Sequence, residues 1–175
     1  MTNTLEIKLL SENATMPKRD RLDAGYDIFA AETVILEPQE KAKIRTDIAV
    51  NIPEGYVGLL TSRSGVSSET HLVIETGKID AGFQGNMKIN IKNDMEHDGI
   101  TTLYEDLDNE LVSTLDIKGD YIKEGEGARK VYKINKGDKL AQLVIVPIWT
   151  PELKEVEEFS SESERGEQGF GSTGF

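Results

Sequence analysis

Apolar and polar residues alternate with period two along much of this chain. Across 42–50, Ala42, Ile44, Ile48 and Val50 alternate with Lys43, Arg45, Asp47 and Ala49, and Thr46 fills the inward series. That spacing predicts one half-buried strand. Met87, Ile89 and Ile91 alternate with Lys88, Asn90 and Lys92 in the same way. Residues 140–149 form a near-continuous apolar run, LAQLVIVPIW, whose Val and Ile content and Pro147 predict a buried strand reaching an edge rather than a helix. Turn signals separate these segments: Glu37-Pro38-Gln39-Glu40, Pro53-Glu54-Gly55, Gly82, Gly85 and Lys136-Gly137-Asp138.

In the body no stretch of about twelve residues carries the i, i+3, i+4, i+7 pattern of an amphipathic helix, although 64–70 could form a turn or two. The expectation is an all-β protein, a jelly-roll-like sandwich or barrel, because an open sheet would leave its edges exposed. Within 101–112 the leucines Leu103, Leu107 and Leu111 could line a helix, and GDYIKEGEGARKVYKI at 119–134 reads as a hairpin.

Composition narrows the function. The chain has 175 residues, the size of one domain, with 37% apolar residues and a formal charge of −12. That acidity argues against a nucleic-acid-binding module, and the lack of cysteine excludes disulfides, thiolate metal sites and a cysteine nucleophile. No 18-residue apolar run and no basic leader followed by an apolar stretch are present. A soluble, cytoplasmic protein without membrane contact is therefore expected. The charge is uneven: residues 94–130 carry 4 basic and 11 acidic groups and residues 151–175 carry 2 and 7, while the rest is neutral. The pattern is that of a neutral body with an acidic insertion and an acidic tail.

Candidate chemistry is concentrated in glycine-containing polar clusters rather than in histidines. His71 and His97 have no partners at metal-ligand spacing, and no Gly-x-Ser-x-Gly elbow occurs. The clusters are DAGYD at 23–27, TSRSG at 61–65, TGKID at 76–80 and RGEQGFGSTGF at 165–175. Glycine lets a backbone approach a ligand, Ser and Thr add hydroxyl donors, and Arg adds a bidentate cation, which together suit a polyphosphate. Each cluster alone could equally be a turn.

Their order and combination resemble the trimeric dUTP diphosphatase (dUTPase) family. Its five motifs correspond to DAGYDIFA at 23–30, GLLTSRSGVSS at 58–68, ETGKIDAGFQGNMKINIKN at 75–93, KGDKLAQLVIVPI at 136–148 and RGEQGFGSTGF at 165–175. The acidic insertion is outside the minimal family pattern and is similar to the extra segment of staphylococcal phage dUTPases.

The resemblance implies a homotrimeric fold and hydrolysis of dUTP to dUMP and pyrophosphate with Mg²⁺ held mainly by the triphosphate and water, not directly by the protein. By similarity Asp80 activates the attacking water. Asp27 contacts either the hydrated metal or a phosphate-binding arginine, or is only a structural turn carboxylate. Arg63, Ser64, Gly65, Gln142, Arg165, Gly171, Ser172 and Thr173 would bind phosphates, though Gln142 could instead satisfy a neighbouring backbone group. Gly77, Lys78 and Ile79 would read uracil, Phe170 would stack on it, and Phe83 would wall off the deoxyribose. Phe83 departs from the family's usual tyrosine, so ribose exclusion is expected to survive without the phenolic hydrogen bond.

The expected organisation is a β domain over 1–159, with the insertion at about 94–130, and a C-terminal arm over 160–175 that closes on the site of another subunit. Staphylococcal phage relatives imply a second role, capture of a mobile-element repressor through the insertion, and location in the host cytoplasm if the chain is phage-encoded. Two alternatives stand beside the dUTPase reading: a repressor-binding module with little or no catalysis, and a dCTP deaminase-type enzyme, which shares the fold but releases ammonia.

Overall fold

The computed structural model describes residues 4–96, 113–125, 130–163 and 166. Thirteen strands and one short helix occur among them: β1 (Glu6–Leu9), β2 (Tyr26–Phe29), β3 (Val34–Leu36), β4 (Lys41–Arg45), β5 (Ile48–Asn51), β6 (Tyr56–Ser62), α1 (Ser64–Glu69), β7 (Leu72–Ile74), β8 (Gly77–Ile79), β9 (Lys88–Asn93), β10 (Ser113–Leu115), β11 (Tyr121–Lys123), β12 (Lys130–Ile134) and β13 (Lys139–Pro147). They form four sheets, ordered β1-β5, β11-β10-β12-β3, β2-β13-β6-β8 and β4-β9-β7. The all-β expectation holds, but the sheets do not join into a closed barrel.

The period-two segments fold as their patterns require. In β9, Ile89 and Ile91 are buried and meet Ile44 and Ala42 of β4 in antiparallel register. They join one core with Ile28, Leu36, Ile48, Leu60, Leu72, Leu140 and Leu143. The near-continuous apolar composition of β13 matches its position between two strands. Residues 139–143 face β2 and residues 141–147 face β6. Beyond Leu143 only β6 accompanies it, so the strand does reach an edge, with Pro147 at the end where a missing N–H does least harm.

Two expectations are corrected. The single strand predicted across 42–50 is two strands, β4 and β5, because Asp47 adopts a left-handed backbone (φ 52) and turns the chain. Thr46 supports that turn by donating from its hydroxyl to the Met87 carbonyl at 2.6 Å. The hairpin predicted over 119–134 does not form either. β11 pairs with β10, and β12 pairs parallel with β10 and antiparallel with β3. The turn that decides this lies earlier, where the Asp116 carboxylate accepts the N–H groups of Lys118 and Asp120 at 2.8 and 3.0 Å. Gly119 closes it with φ 84, and a Cβ there would stand 2.5 Å from the Glu69 carbonyl oxygen. This part of the insertion is therefore seated against the end of α1. The leucine-spaced helix at 101–112, His97, Arg165, Phe170, Gly171, Ser172 and Thr173 lie outside the described residues.

Candidate active site

The sheet β2-β13-β6-β8 carries most of the described motif residues. Register places Gln142 of β13 opposite both Asp27 of β2 and Thr61 of β6. Immediately after β6 the chain turns through Arg63, the N-cap of α1, whose backbone is extended (φ −85, ψ 141). Val66 is the helix's buried residue and fixes it to the core, a contribution of about 2 kcal/mol. Ser64 and Gly65 open the helix on its exposed side, and among the described residues no side chain caps that first turn.

Arg63 is locked in place. Its Nε donates to Asp27 Oδ1 at 2.7 Å and its Nη1 donates to the Lys139 carbonyl at 3.2 Å. Lys139 Nζ lies 2.9 Å from the other Asp27 oxygen. Burial pushes the Asp27 carboxyl up, but hydrogen bonding and charge from Lys139 and Arg63 outweigh it and hold the group below the usual carboxylate range. Asp27 thus stays ionised, aims one guanidinium, and sits between two cations. Of the roles open to Asp27, the structure favours contact to an arginine. Gln142 donates from Nε2 to the Ser62 carbonyl at 3.1 Å, so it does satisfy a neighbouring backbone group here.

Lys139 was not picked out from sequence, although it stands in the same fourth motif as Gln142. A cavity of about 640 Å³ adjoins this cluster, lined by Arg63 and Gly65, by Asp116 and Lys118 of the insertion's turn, and by Asp138 and Lys139. The insertion therefore borders the phosphate-type cluster directly. Burial, with Asp116 nearby, pushes the Asp138 carboxyl above its ordinary value.

The third motif occupies the far end of the sheet. β8, with Gly77, Lys78 and Ile79, pairs with β6 through Gly58–Leu60 and has no second strand neighbour among the described residues. Its outer backbone N–H and C=O groups form an open sheet edge, suited to reading a planar ring by hydrogen bonds. Ile79 is buried while Lys78 is exposed. The chain then turns through Asp80-Ala81-Gly82-Phe83, with the Phe83 N–H donating to the Asp80 carbonyl at 3.1 Å and Gly82 in the left-handed region (φ 90). Asp80 is exposed, and Phe83 is 45% exposed although aromatic.

The two groups are not brought together within one chain. Ile79 pairs with Gly58, and Arg63 lies five residues further along, about 17 Å. Arg63 is tied to β2, which is three strands from β8, about 14 Å across the sheet. His71 is exposed, and its backbone N–H donates to the Tyr132 hydroxyl at 3.1 Å. Among the described residues no group of three His, Asp or Glu side chains could hold a metal. No described helix is long and apolar enough to cross a membrane.

Comparison with known proteins identifies the scaffold. The dUTPase family model matches residues 12–101 and 127–174, leaving 102–126 unmatched, within the acidic insertion. A Staphylococcus bacteriophage 80alpha dUTPase with dUpNHpp is 64% identical, with 99% of this chain and 100% of that chain covered and a TM-score of 0.87. It is one of the phage dUTPases described as controlling transfer of virulence genes by a proto-oncogenic G protein-like mechanism. A mutant dUTPase from phage phi11 of S. aureus, described with a structural Mg(II) ion, is 64% identical over 91% of this chain and 100% of that one, with a TM-score of 0.80. The deoxyuridine 5'-triphosphate nucleotidohydrolase of Clostridium tetani is 34% identical, covering 98% of this chain and 97% of that protein.

Proposed function

The chain belongs to the dUTPase family and is a dUTP diphosphatase that hydrolyses dUTP, and on that premise we propose that its two separated groups are the halves of active sites shared between subunits. The observation that carries this is the placement of Asp80 and Arg63 at opposite ends of β6, with Arg63 turned away from β8. One chain cannot set both on a single triphosphate, whereas neighbouring chains of a homotrimer can. Large apolar side chains on the segment after β13 support assembly: Trp149 and Phe159 are 88% and 90% exposed.

In the completed site, Asp80 accepts a proton from a water molecule that attacks the α-phosphorus in line, and dUMP and pyrophosphate separate. Asp27 holds the Arg63 guanidinium ready for the phosphate oxygens. Lys139 adds positive charge beside it. Ser64 and Gly65 present the first turn of α1, and Gln142 sits one strand away with its amide oxygen available. The open edge of β8 at Gly77, Lys78 and Ile79 reads uracil through backbone groups, and the Phe83 ring closes against the sugar where a 2′-hydroxyl would stand. The arm over 160–175 completes the enclosure of another subunit's site, with Arg165, Gly171, Ser172 and Thr173 toward the terminal phosphate and Phe170 over the uracil ring.

Both Asp27 oxygens are already engaged by cations, so the residues fit a Mg²⁺ ion carried by the triphosphate, with Asp27 near its water shell rather than in direct coordination. When bound, that ion neutralises phosphate charge. Pyrophosphate release from dUTP, dTTP, dCTP and UTP, compared between the native chain and Asp80→Asn, tests the assignment. Fast release from dUTP alone, abolished in the variant, is the expected result; full activity in Asp80→Asn would remove Asp80 from its role.

A second function follows from the insertion. The family model skips 102–126, and the 80alpha relative is described as controlling gene transfer. The acidic insertion at 94–130 is accordingly proposed to bind a basic surface of a repressor protein in the host cytoplasm, for a phage-encoded chain. Removing 98–128 and assaying hydrolysis and repressor capture separately tests this: capture that persists without the insertion would refute it.

A further inference from the structure

Asp47 lies outside every motif of the site, yet it is 3% exposed, charged and held in a left-handed backbone conformation (φ 52). Aspartate is among the residues that enter this region most readily, and here its side chain is also held on several sides. Its partners are on the page. Ser11 Oγ donates to Asp47 Oδ2 at 2.6 Å, and Asn86 Nδ2 donates to Asp47 Oδ1 at 2.7 Å. The Asp47 backbone N–H in turn donates to Asn86 Oδ1 at 3.1 Å. Both ends of the Asn86 amide are thus held by one residue. Arg45 Nη1 stands 3.8 Å from the same carboxylate.

A second polar tether runs beside the first. Gln84 Nε2 donates to Asn51 Oδ1 at 2.9 Å, and Asn51 Nδ2 donates to Glu6 Oε2 at 2.6 Å. Between residues 84 and 86 lies Gly85. A Cβ at Gly85 would come within 2.8 Å of Phe83 Cζ, so the aromatic ring rests directly over the Gly85 backbone. The seat of the ring is therefore held through both its neighbours, Gln84 and Asn86, and the Asn86 side ends on the buried Asp47 carboxylate.

We infer that the Asp47–Asn86 clamp is a positioning device that sets the pose of the Phe83 ring and, through it, the enzyme's preference for deoxyribose over ribose. The inference rests on the reading of Phe83 as the sugar wall. Asp47 and Asn86 touch no substrate in this scheme; they act through Gly85 and Phe83. Backbone bonds from Thr46 and Met87 hold the neighbouring strands without them, with the Met87 N–H donating to the Ile48 carbonyl at 2.9 Å, so the clamp can be opened without removing the turn.

The experiment measures kcat and KM for dUTP and UTP in the full chain for Asn86→Ala, Asp47→Asn, Gly85→Ala and Phe83→Ala, with thermal unfolding alongside. Asn86→Ala is expected to lower the dUTP-to-UTP preference roughly tenfold, the scale of one lost buried hydrogen-bond pair, mainly through KM for dUTP. Asp47→Asn keeps one oxygen to accept from Asn86, places an NH2 group opposite the Ser11 hydroxyl and tolerates the left-handed backbone, so it should keep most of the preference. Gly85→Ala displaces the ring while leaving the clamp intact, and it should lower the preference even if Asn86→Ala fails to fold. An unchanged preference in Gly85→Ala, or in a folded Asn86→Ala, while Phe83→Ala reduces it, would overturn the clamp's role. An unchanged preference in Phe83→Ala would instead remove the reading of Phe83 on which it stands.

Discussion

In the proposed site the two ends of β6 would recognise by different physics. At its C-terminal end the groups are charged side chains, Arg63 and Lys139 sharing the one Asp27 carboxylate, which leaves a net positive charge in a half-buried knot. At the other end they are backbone groups of an edge strand, one exposed carboxylate and one aromatic ring, held by neutral turns and amide tethers. The first arrangement suits a ligand defined by charge, whose oxygens can take over cations that are already in place. The second suits a ligand defined by outline, where a ring displaced slightly changes which sugar fits. A triphosphate attached to a nucleoside needs both, and on the proposed reading the distance between them makes assembly part of the chemistry.

That contrast can be broken experimentally. The largest effect is expected from Asp80→Asn, with kcat falling about a thousandfold, the scale of a lost general base. Arg63→Ala should follow at roughly a hundredfold in kcat/KM. Refolding these two inactive chains together should recover activity well above either alone, because some sites then draw an intact Asp80 and an intact Arg63 from different subunits; no recovery would place both halves of each site on one chain. Phe83→Ala should leave pyrophosphate release from dUTP measurable while narrowing the gap to UTP about tenfold, read from parallel kcat/KM values.

The smallest effect concerns pH. The Asp27 carboxyl titrates below its ordinary value in the folded chain, so its ion pairs stabilise the fold above the unfolded carboxylate range, near 3.8. That stabilisation is lost as pH falls through the folded value. Lys139→Met should accordingly cost about 1 kcal/mol or less at pH 7 and nothing measurable once Asp27 is protonated. Urea denaturation at neutral and acid pH reads the difference, and an equal loss at both would mean that Lys139 matters for packing rather than charge.

Much of the scaffold was legible where a single period runs unbroken. β9 alternates because one of its faces is buried in the core beside β4, and β13 is nearly continuous in apolar residues, broken by Lys139 and Gln142, because β6 flanks it along 141–147 and β2 along 139–143. The failures occur where a side chain redirects the backbone. Asp47 takes the place of the polar member between the inward Thr46 and Ile48, so nothing in the pattern marks it as a turn; the side chains that bind its carboxylate there, Ser11 and Asn86, are distant in sequence. Asp116 redirected the insertion in the same way, by accepting two N–H groups of its own turn. In the site, motif order placed Asp27, Arg63, Gln142 and Asp80 among the candidates, but Lys139, which the register sets opposite Phe29, became visible only through the side-chain ion pair that carries its Nζ to Asp27.

The open flank of β8 has a consequence for how the chain behaves in a crowded cell. Any extended polypeptide presents the same alternation of N–H and C=O groups as a partner for a bare strand, so an edge proposed to grip a base is equally an edge open to recruiting another protein into a growing sheet. β8 has only three residues, and its middle one is the exposed Lys78. A short strand with a charge at its centre offers little purchase for strand addition, while a flat heterocycle needs no more length than that. On the proposed reading, the same three residues admit a small planar molecule and turn away a chain.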